Sequence, residues 1–335
     1  MHIPDSYLSP QTTVVMGAAM LPVWGAAVKK VKNNLTTKFV PLMAIGAVFS
    51  FVIMMFNIPI PDGTTAHAVG GGLLAIILGP WAACICISIS LAIQALFFGD
   101  GGILAFGANC FNIAFILPFF AYYTYRLIAG NSEITSSRRW IGGLIGGYVG
   151  INMAALCTAV EFGVQPLLFH TANGAPLYAP YPLGLSVPAM AFAHLLIAGP
   201  VEGILTALVI RHFQASNPSL LNIMGNAGPV SVYRKLWWAL GVLILLSPLG
   251  LLANGTAWGE WGLDEIEKMI GFIPHGMQNF SDKWHALMPD YGLPGLDNTL
   301  GQSAAVYVLA AIVGTALITG VTLLFGKLAR SKNAG

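Results

Sequence analysis

An all-α protein that crosses a membrane with about nine helices is the fold class this sequence predicts, and three observations predict it. Only 8% of the 335 residues are charged and 56% are hydrophobic, against roughly a quarter charged in a soluble domain. Apolar stretches recur at about the 20-residue length a helix needs to cross hydrocarbon. The Lys and Arg residues gather at alternate ends of those stretches, as the positive-inside rule requires. The net charge of +2 says little about partners; the placement of the charges says more, and nothing in it points to nucleic acid.

The spans follow in order. The first, 10–28, has Asp5 before it and Lys29, Lys30 and Lys32 after it. A secretory signal carries its positive charge in front, so this reads as a retained helix. The second covers 38–56. The third, 65–78, is short, and the Gly79-Pro80 turn separates it from the fourth, 81–98. The fifth covers 102–128 and the sixth 140–162. In the sixth, Gly142, Gly146 and Gly150, with Gly143 and Gly147 alongside, predict close approach of neighbouring helices. Small residues recur in the first span as Gly17-Ala18-Ala19 and Gly25-Ala26-Ala27. Both stripes fit packing within the chain, and docking of a separate membrane subunit is the alternative. The seventh span is 185–210, the eighth 236–253 and the ninth 303–325.

Nine alternating spans place Lys29, Lys30, Lys32, Lys38, Arg126, Arg138, Arg139, Arg211, Arg234, Lys235, Lys327, Arg330 and Lys332 in the cytoplasm. Lys268 and Lys283 fall in a long outer loop, which the rule discounts. The expected topology therefore has an extracytoplasmic N-terminus and a cytoplasmic C-terminus in the cell (inner) membrane. The chain divides into a seven-helix region, 1–213, a polar cytoplasmic linker, 214–235, and a two-helix unit, 236–335. That unit carries an outer loop, 254–302. Trp258, Trp261 and Trp284 in the loop are expected at the membrane–water boundary, beside the acidic Glu260, Asp264, Glu265, Glu267, Asp282, Asp290 and Asp297. Cys84, Cys86, Cys110 and Cys157 fall inside spans and read as small buried apolar residues. Cys84 and Cys86 would point away from each other on a helix.

The chemistry begins at His2. A terminal amine and the amide nitrogen of residue 2 close a five-membered chelate ring on one metal ion; the same amide and His2 Nδ1 close a six-membered ring. Three nitrogens then lie in a plane with room for a fourth donor, a geometry that favours Ni(II) or Cu(II) over harder cations. Pro4 and Pro10 stiffen the segment, and the large second residue is expected to prevent removal of Met1. An unordered tail that happens to carry a histidine is the plain alternative. His67, at the outer end of the third span, is the second candidate, since an ionisable residue at membrane depth is a functional hypothesis. Gly70, Gly71 and Gly72 after it would let another segment come close; a helix-capping or hydrogen-bonded core histidine fits equally. Gln94, Asn109 and Asn112 can orient the histidines or bond between helices. Glu202 and His194 share one side of the seventh span, where they could stage the metal or satisfy each other. Glu161, His170, His275 and His285 read as residues of the outer surface. No His-Glu-x-x-His, Gly-x-Ser-x-Gly or phosphate-loop pattern occurs, so no ATP hydrolysis is expected of this chain.

Three strings carry a resemblance: Met1-His2-Ile3-Pro4-Asp5; Thr65-Ala66-His67-Ala68-Val69-Gly70-Gly71, which runs on to Leu78-Gly79-Pro80-Trp81; and Gln94 to Gly102 with Gly107-Ala108-Asn109. In this order they resemble the CbiM/NikM family, the substrate-specific (S) components of energy-coupling factor (ECF) transporters for cobalt and nickel. The resemblance implies metal ligation by the Met1 amine, the His2 amide and imidazole, and His67. It also implies Ni2+ or Co2+ as transported substrate, a coupling (T) component and two cytoplasmic ATPase (A) components as partners, and a link to cobalamin, urease or hydrogenase metal supply. The C-terminal unit, with Pro289-Asp290-Tyr291-Gly292-Leu293, resembles the small N component fused in frame, although the family's Pro-Asp-Gly-Leu-Glu string is interrupted. Ser6 stands where the family commonly has Gly, with little expected effect on the ligands. A stand-alone secondary transporter or channel is the alternative, with Glu202 as nearly its only acidic candidate within the spans; an intramembrane enzyme is a third class.

Overall fold

The computed structural model describes residues 1–32, 35–36, 38–61, 63–222, 230–253, 255–281, 283–296 and 298–331. Asn254, Asp282, Asp297, Lys332 and the middle of the polar linker lie outside the described residues.

Helix α1 is Pro10–Lys32, α2 Phe39–Met54, α3 Gly71–Leu78, α4 Pro80–Phe98, α5 Phe106–Ala129, α6 Ser137–Leu168 and α7 Leu183–Ser216. In the C-terminal unit α8 is Val232–Leu252, the outer loop forms α9, Leu263–Ile270, and α10, His275–Phe280, and α11 is Leu300–Ala329. Among the described residues seven helices are long and apolar enough to cross a membrane, while α2 is a shorter apolar helix. This is a multi-pass membrane protein. Helix enters both ends of the polar 214–235 stretch, since α7 runs to Ser216 and helical structure resumes at Val230.

The third predicted span is the main departure. Only its eight residues Gly71–Leu78 are helical, a rise of about 12 Å where a crossing needs about 30 Å. Thr65–Ala66 instead forms a short strand, β2, antiparallel to β1, Ile58–Pro59, and residues 67–70 are neither helix nor strand. Non-helical backbone at membrane depth is tolerated where protein buries and satisfies it. Here Thr65 through Val69 are all buried. The Val69 carbonyl accepts from Ser50 Oγ at 2.8 Å.

Glu202 does the rest. Its carboxylate accepts the backbone N–H groups of Val69 and Gly70, both at 2.8 Å, and of Gly72 at 3.0 Å. These are orphan donors at the N-terminus of α3, where the helix dipole also favours a negative charge. Gly70 has φ 73°, which needs no Cβ, and a Cβ there would meet Phe49 at 2.5 Å. His194 takes no part: its Nδ1 pairs with the Met190 carbonyl at 2.9 Å. The two residues of the seventh span do not satisfy each other, because Glu202 bonds to the turn before α3 and His194 to its own helix.

The glycine stripes serve packing within the chain. A Cβ on Gly146 or Gly150 would lie 2.6 Å from the carbonyl of Ala121 or Leu117 in α5, and one on Gly147 3.0 Å from the Glu202 carbonyl in α7. In α1 a Cβ on Gly17 or Gly25 would meet open space, and it is Gly107 of α5 whose lack of a Cβ admits the Gly17 backbone. The C-terminal unit packs α8 and α11 on α2, with Phe51 filling the space over Gly314.

Candidate metal centre

The N-terminal segment is folded into the end of the helix bundle that also carries Glu260 and Trp261. Met1, His2, Ile3, Tyr7, Leu8 and Ser9 are all buried. Asn109 grips Ile3 from both sides: its Oδ1 accepts the Ile3 N–H at 2.7 Å, and its Nδ2 donates to the Ile3 carbonyl at 3.0 Å. The same carbonyl accepts from Gly102 N at 2.8 Å. Asp5 accepts the N–H groups of Ile103 and Leu104 at 3.1 and 2.7 Å just ahead of α5. A Cβ on Gly102 would lie 2.2 Å from Asp5 Oδ1, so only glycine lets the two segments meet. Ser9 then starts α1 by accepting the Thr12 N–H at 3.1 Å, a serine N-cap followed by proline. Ser6, by contrast, has φ 76°, a left-handed conformation that strains a serine.

This anchoring brings the predicted ligands together. The rings of His2 and His67 stack with centroids 5.2 Å apart and planes at 27°. The Met1 amine lies 2.6 Å from Glu260 Oε1. His2 Nδ1 lies 3.0 Å from Asp100 Oδ1, at ion-pair distance. Nε2 of His2, a residue 1% exposed, has no polar partner among the described residues, and Nδ1 has only the Asp100 carboxylate. Buried polar atoms are ordinarily paired, so an imidazole in this state is prepared for a ligand. His67 Nδ1 pairs with the Ala68 carbonyl at 3.1 Å; donation from Nδ1 leaves the Nε2 lone pair available.

Asp100, Glu260 and Tyr291 were not singled out by sequence. Ligand atoms of His2, Asp100 and Glu260 fall within 4.8 Å of one another. Tyr291 donates its hydroxyl to Asp100 Oδ2, and Gln94 Nε2 donates to the same oxygen at 3.0 Å. Burial by itself would raise the Asp100 carboxyl; the imidazole charges of His2 and His67 and the Tyr291 hydroxyl outweigh it and hold the group below the ordinary carboxylate value. Burial, with the charges of Asp100 and Glu260, raises the Asp290 carboxyl. Asp290 and Tyr291 both have positive φ, 50° and 61°, so the string that suggested the N component forms a strained turn aimed at Asp100.

The contacts choose between the two readings open for the polar residues, and the expectation for Glu161 needs correction. None of Gln94, Asn109 and Asn112 bonds to an imidazole. Gln94 holds Asp100, Asn109 holds the Ile3 backbone, and Asn112 donates to Thr158 and Glu161 at 3.1 and 2.7 Å. Glu161 is buried in that pair rather than on the surface, because its turn of α6 faces α5; His170, His275 and His285 are exposed as expected. Trp258 and Trp261 pack with Tyr181 in an aromatic cluster beside Tyr7, roofing the N-terminal segment, while Trp284 is exposed with Nε1 on the Leu96 carbonyl.

Comparison with known proteins finds two matching regions. Residues 2–220 match the CbiM family, described as a cobalt uptake substrate-specific transmembrane region, and residues 234–331 match the PDGLE domain. The fused nickel transport protein NikMN of Rhodobacter capsulatus is 48% identical over the full length of both chains. The probable fused nickel transport protein LarMN of Lactiplantibacillus plantarum is 46% identical over 97% of each chain. The cobalt transport protein CbiM of Acetohalobium arabaticum is 33% identical over 48% of this chain and 64% of its own. A crystal structure described as a transition metal transporter is similar with a TM-score of 0.61 and 60% identity, covering 64% of this chain and 93% of that one.

Proposed function

This chain belongs to the CbiM family, with a PDGLE domain carried in the same polypeptide, and from that premise we propose that it is the ion-capturing membrane subunit of an energy-coupled importer for Ni2+ or Co2+. The observation that carries the reading is the buried His2 imidazole, facing Asp100 through Nδ1 and without a partner at Nε2 among the described residues, with His67 stacked on it. The ion takes the Met1 amine, the His2 amide and Nδ1, and His67 as ligands. Glu260 and Asp100 hold the amine and the imidazole until the ion displaces them, and their charge then helps balance a divalent cation.

A nitrogen-rich planar set supports nickel, as do the names of the relatives that match over the whole length. The N-terminus faces away from the cytoplasm, which places the capture site where incoming ion arrives. The driving force comes from other polypeptides: a membrane coupling component and two cytoplasmic ATPases. The test is the purified full chain with a short Gly-Ser extension ahead of Met1. The extension is expected to abolish tight Ni2+ and Co2+ binding in a chain that still unfolds cooperatively, at a temperature lowered by the loss of the Met1–Glu260 ion pair; equal affinity with and without it would sink the terminal-amine site.

A further inference from the structure

Beside His67 lies a small, partly open cavity of about 10 Å³, just enough for one water-sized particle. Met1, His67, Met190, His194, Ala257 and Trp258 are among the residues lining it. His194 is 4% exposed and Met190 1%. His194 opens a π-helical turn, His194–Ala198, in the middle of α7, and such turns are frequent at functional sites. Its Nδ1 must be the donor to the Met190 carbonyl, 2.9 Å away, so a neutral ring carries its free lone pair on Nε2. His67 is fixed in the same sense by the Ala68 carbonyl. Two imidazoles of fixed tautomer and two methionines therefore border one void of ionic size.

We propose that this cavity is a second position for the transported ion, held by His194 and His67, next to the N-terminal chelate. The proposal rests on the capture reading above and extends it. An ion bound in two fused chelate rings leaves by stepwise ligand replacement, because all donors cannot let go together. His67 borders both positions and stays attached while His194 replaces the donors of the N-terminus. Imidazole donors suit the later transition metals and discriminate against Mg2+ and Ca2+, so the position also filters what passes.

The test uses Co2+ alone as probe, on the purified full chain in detergent, by equilibrium dialysis and visible absorption. His2→Ala, or independently the Gly-Ser extension ahead of Met1, disables the N-terminal chelate. The chain is then expected to retain one weaker Co2+ per molecule. Adding His194→Gln, which keeps volume and a donor for the Met190 carbonyl, should weaken that residual binding by about tenfold or more and change its absorption spectrum. Mg2+ in excess should not displace it. Residual binding that is absent in a chain that still unfolds cooperatively, or indifferent to His194→Gln, overturns the proposal. If His2→Ala and the extension both leave the tight binding intact, the capture reading fails instead, and the effect of His194→Gln still decides this one.

Discussion

The His2 and His67 rings lie 5.2 Å apart, centre to centre, although one comes from the irregular N-terminal segment and the other from the approach to α3. Two independent anchors set that distance. Asn109 fixes the backbone of Ile3, one residue beyond His2, and Glu202 fixes Val69 and Gly70, just beyond His67. His67→Ala is therefore expected to lower Ni2+ affinity by about a hundredfold or more, since it removes a ligand rather than its support. Isothermal titration of the native and variant chains measures this, and unchanged affinity would exclude His67.

Asn109→Ala removes both bonds to the Ile3 backbone and leaves a buried N–H without its acceptor, at a cost of about 1–3 kcal/mol. Amide exchange across the first ten residues should accelerate and metal affinity should fall, although no ligand has been touched. Protection of the segment equal to that of the native chain would contradict this account of its anchoring.

Glu202→Ala strips three N–H groups at the start of α3 of their acceptor. A loss of about 3 kcal/mol or more is expected, read as a lowered unfolding temperature together with weaker Ni2+ binding through a displaced His67. A variant that binds normally and melts normally would show that the carboxylate is dispensable.

Ser6→Gly should relieve the left-handed strain and raise stability by about 1 kcal/mol, with metal affinity unchanged, because Ser6 lies outside the ligand set. Calorimetric unfolding of the two chains decides the sign.

Acid should act in two stages. Bound metal displaces protons from the amine, amide and imidazoles, so affinity falls as pH falls, and metal titration in weak buffer should release protons. At lower pH the fold itself weakens. The Asp100 carboxyl is held below its ordinary value of 3.8, so its contribution is present above that value and disappears as pH falls beneath it. Asp100→Asn should flatten the acid limb of the unfolding curve; an unchanged limb would assign it to other carboxylates.

What the sequence by itself determined was the membrane architecture and the identity of the ligand candidates. Apolar length and charge placement are local properties, and they marked eight of the apolar helices closely. Met1, His2 and His67 stood out because a chelate ring and a histidine at membrane depth are recognisable without coordinates. Only the tertiary structure decided how those residues are held. Glu260 pairs with Met1, Tyr291 with Asp100, and Glu202 with the turn after His67, all across long stretches of chain. Such pairs depend on which helices pack side by side, and no periodicity encodes that. The shortened α3 has the same origin. Residues 65–78 are apolar enough to read as a helix, but Ser50 and Glu202 offer the backbone before Gly71 other partners. That competition, settled by neighbours remote in sequence, makes room for the N-terminus to reach His67.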